Sequence, residues 1–315
     1  MSTRKALITG ISGFTGYHLF KHLQEADPEL SILGIDISAP SYAGNYEFLQ
    51  ADLLDYDRLL DLIRKVKPTH IFHLAGLNFS DDPKLFYDIN VMGTMNLLEA
   101  VRKNRDRVDP KMLIVGSSAE YGIVNEDELP ISEKNPLRPI SHYGVSKVAQ
   151  DLLGFQYFKT YGLKVIRVRP FNLIGPGQSA GFVCGALAKQ IVEVEKGARK
   201  PEILVGNLEP ERDFVDVRDV VRAYWRLMQA GSEGEVYNVG SGRSHSIRQV
   251  LQILIREARV DIEPQQDVKR MRQSDIPRQI GNIEKIRSEL DWVPQIPPER
   301  SLRDMLDYFR ANSNN

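Results

Sequence analysis

Short apolar runs alternate with longer segments whose apolar positions recur every three or four residues through the first half of the chain. The runs at 6–9, 31–35, 70–74, 112–115 and 165–168 are largely continuous, which predicts strands buried on both faces. The stretches 13–25, 55–67, 83–107 and 143–161 between them carry helical spacing. Strand–helix alternation of this kind implies right-handed crossovers and a parallel sheet covered on both sides. The expected fold class is therefore α/β, built on a doubly wound parallel sheet.

After Pro170 the pattern loosens. Gly175-Pro-Gly177 breaks the chain, and helices are expected at 182–196, 217–229, 246–258 and 301–310, with short strands at 203–205 and 236–239. The proline-rich Val293-Pro-Gln-Ile-Pro-Pro298 separates the last two helices. This predicts a first domain over 1–170, rejoined by segments near 215–240, and a smaller interleaved lobe over 171–214 and 241–315. A cleft between such lobes is the expected place for a substrate.

Composition narrows the function classes. At 315 residues the chain exceeds what one core usually serves, which agrees with one large or two fused domains. Lys and Arg number 41 against 42 Asp and Glu, so bulk positive charge draws the protein to neither nucleic acid nor anionic membrane. The single Cys184 excludes an internal disulfide framework and a cysteine-based zinc site, and it suits a reducing cytosol. No metal is expected. The apolar run after Lys5 is too short for a signal peptide and no eighteen apolar residues run together, so a cytoplasmic location is expected.

The first predicted strand ends in Gly10-Ile-Ser-Gly13-Phe-Thr-Gly16 and a helix follows. Glycines there let the backbone turn tightly and approach a pyrophosphate, while the helix N-terminus favours the anion. A glycine turn alone is weak evidence. Here it sits between strand and helix, and Asp36 ends the second strand twenty residues on. That acid would accept hydrogen bonds from the adenosine ribose and repel a 2′-phosphate, and no Lys or Arg stands beside it. The cofactor is expected to be a dinucleotide, NAD(H) in preference to NADP(H), the latter staying open. Phe14, Thr15, Asp52, Leu53, Leu74 and Ala75 are expected to line its path; Asp52 serves equally well as a capping residue before Leu53. His73 reads as a packed strand residue rather than a catalyst.

Tyr143-Gly-Val-Ser-Lys147 places a phenol and an ammonium four residues apart on one helical face. A nearby Lys⁺ lowers a tyrosine's pKa, which would make Tyr143 a usable acid near neutrality. The run at 112–115 leads into Gly116-Ser-Ser-Ala-Glu-Tyr-Gly122, with hydroxyls at the strand end that faces the ligand crevice. Together these features predict a hydride-transfer site.

The glycine spacing, the serines at 117 and 118 and the Tyr143–Lys147 pair resemble the extended short-chain dehydrogenase/reductase family over about residues 4–310. Asn90 also matches that family's helical asparagine, although it would equally suit an ordinary helix position. The resemblance implies a Rossmann domain and a homodimer formed through the helices at 83–107 and 143–161. The strings 169–178, 181–183 and 205–214 resemble, more narrowly, the branch holding GDP-mannose 4,6-dehydratases and GDP-4-keto-6-deoxy-D-mannose reductases. By that resemblance Asn172, Val183, Lys189, Arg212 and Arg272 would line a GDP-sugar site, with Ser118 assisting. Arginine is well suited to fork onto a diphosphate. Lys189 and Arg272 also read as solvated side chains.

Dehydratases of the branch carry a glutamate two residues before the tyrosine matched by Tyr121, where this chain has Ala119. That glutamate takes the C5 proton of the sugar, which a methyl group cannot do. Glu120 would serve only after a one-residue shift, which turns a side chain to the opposite face. The resemblance thus implies NAD(P)H-dependent reduction of the C4 ketone of a GDP-4-keto-6-deoxy-hexose, giving GDP-D-rhamnose for surface polysaccharide. Tyr143 would protonate the oxygen, Lys147 hold the nicotinamide ribose and Ser117 hydrogen-bond the carbonyl. A nucleotide-sugar 4,6-dehydratase or 4-epimerase stays open as the alternative, and a non-catalytic nucleotide sensor more remotely.

Overall fold

A computed structural model describes residues 4–271 and 276–312. Its main sheet has seven strands: β1 (Lys5–Thr9), β2 (Ser31–Asp36), β3 (Glu47–Gln50), β4 (His70–His73), β5 (Lys111–Val115), β6 (Lys164–Pro170) and the late β10 (Val236–Val239). They are all parallel, in the spatial order β10-β6-β5-β4-β1-β2-β3, which reverses direction between β1 and β4. The fold class is the expected doubly wound one.

One face of the sheet is covered by α1 (Phe14–Ala26) and α7 (Val217–Ala230), which share a core of Leu19, Phe20, Val220 and Tyr224 with the strands. The other face is covered by α2 (Tyr56–Val66), α4 (Gly93–Lys103) and α5 (His142–Tyr161) through Leu59, Leu97, Val101 and Tyr157. Helix ends follow local chemistry. The Asp55 side chain accepts from Arg58 N at the start of α2, and Ser141 accepts from Gly144 N at the start of α5. Gly162, at φ +65°, ends α5 in the left-handed conformation that glycine adopts without strain.

Three features depart from the sequence expectation. β3 lies at the sheet edge with mostly exposed side chains, so it carries no hydrophobic run to announce it. The stretch 83–107 is not one helix: α3 (Pro83–Phe86) leads into a π-helical turn, Tyr87–Met92, before α4. The extra residue in that turn buries Asn90, whose side chain accepts from Leu77 N (2.7 Å) and donates to Ser146 Oγ (2.9 Å). Third, Ile286 and Leu290 of α9 (Glu284–Leu290) and the following Trp292 join the α1–α7 core rather than the second lobe.

The second lobe surrounds β9 (Glu211–Asp216), which pairs with β7 (Asn172–Ile174), β11 (Ser244–Ser246) and β13 (Arg278–Gln279). A two-stranded sheet joins β8 (Glu202–Val205) to β12 (Glu263–Gln266). Helices α6 (Val183–Glu195), α8 (Ile247–Arg256) and α10 (Pro298–Asn312) enclose a core of Leu187, Ile191, Leu254 and Leu302. Asp213, fully buried, accepts from the amides of Ser241 (2.7 Å), Gly242 (3.0 Å) and Gly281 (3.0 Å), which ties three stretches of this lobe together. His18 Nε2 donates to Pro176 O (2.8 Å) and so joins α1 to the loop after β7.

Candidate active site

A cavity of about 1420 Å³ runs over the carboxyl ends of β1, β4 and β5, at the reversal of strand order, and continues to the second lobe. At one end lies the glycine turn. Gly10 has φ +74°, and a Cβ there would stand 2.7 Å from Ala75 N. A Cβ on Gly16 would strike Gly10 O. Gly13 caps α1 without a side chain, so nothing on it satisfies the first-turn amides of Phe14 and Thr15, which have no earlier helical carbonyl to meet. An anion fits such a helix end.

Asp36 lies beside this turn: Oδ2 accepts from Ser12 N (3.1 Å) and Oδ1 from Ile37 N (2.8 Å). Asp52, Leu53, Leu74 and Ala75 also line the cavity. Asp52 accepts from Leu54 N (2.9 Å) in a local turn, whereas Asp55 caps the next helix. His73 is fully buried between Thr9 Oγ1 and Thr94 Oγ1, each 2.8 Å from a ring nitrogen. Burial and the nearby Lys147 charge hold its imidazole down at about 3, hence neutral.

Tyr143, Lys147 and Ser117 all line the cavity. The lowered tyrosine pKa expected from the i,i+4 spacing is not found. Burial pushes the phenol up to about 12; a hydrogen bond with Ser117 opposes this and Glu120 adds to it. Lys147 instead turns toward β5, where Nζ donates to Val115 O (2.9 Å) and to Gln150 Oε1 (2.7 Å). Burial brings its ammonium down to about 8.

Ser117, Ser118 and Ala119 face the cavity, while Glu120 does not border it. Glu120 is fully buried and closes a capping box with Ser117: Oε1 accepts from Ser117 N (2.8 Å), and Ser117 Oγ accepts from Ala119 N (3.1 Å). Its Oε2 makes an ion contact of 2.8 Å with Arg169 Nε, which also donates to Asp151 Oδ2 (2.7 Å). Arg167 pairs with the other Asp151 oxygen, so two carboxyl groups and two guanidinium groups are buried together.

Toward the second lobe the cavity is lined by Asn172, Val183 and Arg212. Arg212 Nη1 donates to Glu211 O (2.9 Å) and Ile276 O (2.7 Å), which sets its guanidinium at the cavity wall. Lys189 is corrected: it stands on the outer side of α6, 3.8 Å from Glu193, and the adjoining Gln190 faces the cavity instead. One position along a helix is a turn of about 100°, which places neighbours on different faces. Arg272 lies outside the described residues, though Lys269 and Arg270 of the same basic string line the wall. The sequence reading missed Phe79 and Phe182, whose rings meet edge-to-face at 4.9 Å across the cavity mouth. It also missed Gln150 behind Lys147. The described residues hold no cluster of three or more His, Cys, Asp or Glu fit for a metal, and no helix among them is long and apolar enough to cross a membrane.

The model of the family described as GDP-mannose 4,6 dehydratase matches residues 7–305. The GDP-6-deoxy-D-mannose reductase of Pseudomonas aeruginosa is 36% identical over 98% of each chain. The GDP-6-deoxy-D-talose 4-dehydrogenase of Aggregatibacter actinomycetemcomitans is 31% identical over 91% of each. Among solved structures, RMD from Pseudomonas aeruginosa complexed with NADPH superposes with a TM-score of 0.85 at 34% identity, covering 98% of this chain and 99% of that one. The chain belongs to the GDP-mannose 4,6-dehydratase family, within the extended short-chain dehydrogenases/reductases.

Proposed function

We propose that this protein reduces the C4 ketone of a GDP-4-keto-6-deoxy-hexose at the expense of NADH or NADPH, giving GDP-6-deoxy-D-mannose (GDP-D-rhamnose) for polysaccharide synthesis in the cytoplasm. The observation that carries the reading is the wall at 117–120: Ser117 and Ala119 face the cavity, and the neighbouring carboxyl of Glu120 is turned into Arg169. The relative named GDP-6-deoxy-D-mannose reductase, and the NADPH in the solved structure of RMD from the same organism, support the substrate class and a nicotinamide cofactor.

The residues fit the cofactor at both ends. The turn at Gly10, Gly13 and Gly16 accepts a diphosphate, with Phe14, Thr15, Asp36, Asp52, Leu53, Leu74 and Ala75 along the adenosine side. Lys147 takes the nicotinamide ribose. When bound, the reduced nicotinamide supplies the hydride for the carbonyl carbon. Tyr143 then gives its phenolic proton to the carbonyl oxygen, and its high pKa without ligand keeps that proton in place until charge develops. Ser117 donates to the same oxygen and orients it, with Ser118 beside it. Asn172 and Val183 receive the sugar and base end, while Arg212 holds the diphosphate, joined by Arg272.

We assign a homodimer to the exposed apolar side chains of the stretches 83–107 and 143–161: Met92, Val145, Leu152 and Phe155. The two-lobe division at about 170 belongs to the same reading, with α9 added to the first lobe. The test is to supply GDP-4-keto-6-deoxymannose with NADH or NADPH and identify the sugar formed. One equivalent of reduced cofactor consumed per GDP-6-deoxyhexose is expected. Failure to consume either cofactor would overturn the reading.

A further inference from the structure

Lys147 needs its ammonium aimed and charged, yet among the described residues no carboxylate is bonded to it. Its two hydrogen-bond acceptors are neutral: Val115 O at 2.9 Å and Gln150 Oε1 at 2.7 Å. An ammonium has three N–H donors, so this pair leaves one for the cavity that Lys147 lines. Gln150 lies one turn further along α5 and is fully buried. Its amide orientation is set by chemistry, because the NH₂ end cannot face an ammonium. As a result Gln150 Nε2 is buried without a hydrogen-bond partner. For packing alone, an apolar side chain of the same size would be the better choice at this position. The amide is therefore explained by its oxygen.

We propose that Gln150 is a positioning residue for Lys147: with Val115 O it holds the ammonium against β5, keeps it protonated at neutral pH and leaves its third N–H to the bound cofactor. The inference rests on the functional reading above for the identity of that cofactor. The groups facing Lys147 from the packed elements are few. Glu120, from the turn after β5, favours its charge, and neutral His73, from β4, does not compete. Tyr143 stands one turn earlier on α5. From the loop after β4, a Cβ on Gly76 would come within 3.3 Å of Lys147 Nζ and 3.1 Å of Asn90 Oδ1, so the ammonium is enclosed on that side. Burial already brings Lys147 to about 8, where the loss of one acceptor decides its charge at working pH.

The test is carbon-13 NMR at lysine Cε of the full chain, titrated across neutral and alkaline pH with and without NADH, the Lys147 signal being assigned by Lys147→Arg. Gln150→Met keeps the volume and removes the oxygen; it should lower the Lys147 inflection from about 8. Gln150→Glu adds a charge and should raise it by roughly one to three units. The alkaline limb of NADH binding, followed by fluorescence, should move with the NMR inflection in both variants. If Gln150→Met does not fold, Gln150→Glu decides alone. An inflection that stays at the wild-type value in Gln150→Glu overturns the proposal. Shifted inflections in a protein that reduces no GDP-4-keto sugar leave Gln150 in its role and remove the functional reading. Reduction with unshifted inflections does the opposite.

Discussion

Glu120 and Arg169 meet at 2.8 Å beneath the floor of the cavity, and this contact faces a carboxyl away from the place where a dehydratase needs one. Burial and the neighbouring Asp151 raise the Glu120 pKa, and against the cost of burial Arg169 and Arg167 hold Asp151 low. Freeing Glu120 to reach a sugar would strip Arg169 of a buried partner, which is strongly unfavourable. Protein supplied with GDP-mannose and NAD should therefore release no 4-keto-6-deoxy sugar, while the 4-keto sugar should be reduced. Ala119→Glu should not create a dehydratase by itself, because a base about an ångström out of place loses about a hundredfold. Chromatography of the nucleotide sugars checks both statements; dehydration as fast as reduction would contradict them.

Tyr143→Phe keeps the ring and removes the proton donor. Turnover should fall by about two to four orders of magnitude while KM for the sugar changes little. Steady-state kinetics decides it, and a near wild-type rate would move the acid elsewhere.

Asp36 accepts from Ser12 N and Ile37 N at the edge of the glycine turn, and under the proposed cofactor placement its charge would oppose a 2′-phosphate. NADH should be preferred to NADPH, and Asp36→Ala should narrow the gap. A wild-type protein that favours NADPH by tenfold, about 1.4 kcal/mol, would refute this account of Asp36.

Arg212 and Lys189 should separate cleanly. Arg212→Ala removes a charged donor from the cavity wall and should raise KM for the GDP-sugar roughly ten- to hundredfold. Lys189→Ala, on the outer side of α6, should leave KM unchanged. Equal effects in the two variants would show that the cavity end has been misassigned.

His73 is neutral when folded, with a pKa of about 3 against 6.5 in the unfolded chain. Below 6.5 the unfolded chain takes up a proton that the folded one refuses, so stability falls as pH drops toward 3. This group contributes a loss of about 2 kcal/mol between pH 7 and pH 5. His73→Asn should remove that part of the acid sensitivity, read by denaturant unfolding at the two pH values. An unchanged pH slope would mean that His73 is protonated in the fold.

Features whose signal is local were legible in the sequence. The glycine turn, Asp36 at a strand end and the Tyr143–Lys147 spacing each sit within one element, so period and spacing place them. β3 has no buried face to betray it, and the opening of β9, Glu211-Arg-Asp, is polar because Arg212 reaches the cavity wall and Asp213 is buried against backbone amides. The π turn that breaks 83–107 arises from Asn90 bonding to Leu77 and Ser146, partners thirteen and fifty-six residues away. The raised Tyr143 pKa escaped the same way: spacing shows Lys147 nearby, but neither the burial that raises the phenol nor the Val115 O and Gln150 acceptors that hold the ammonium.

The late arrival of β10 bears on how the chain is made. β6 has β5 on one side from the start, but its other edge pairs only with residues 236–239. A ribosome-bound chain that has folded its first six strands therefore presents an open edge until that stretch emerges, and such edges recruit foreign strands. Arg167 and Arg169 lie on this strand, and in the finished protein both are buried against Asp151. Asp151 stands on α5, ahead of β6 in the chain, so this ion pairing does not wait for β10, and the late stretch alone closes the edge.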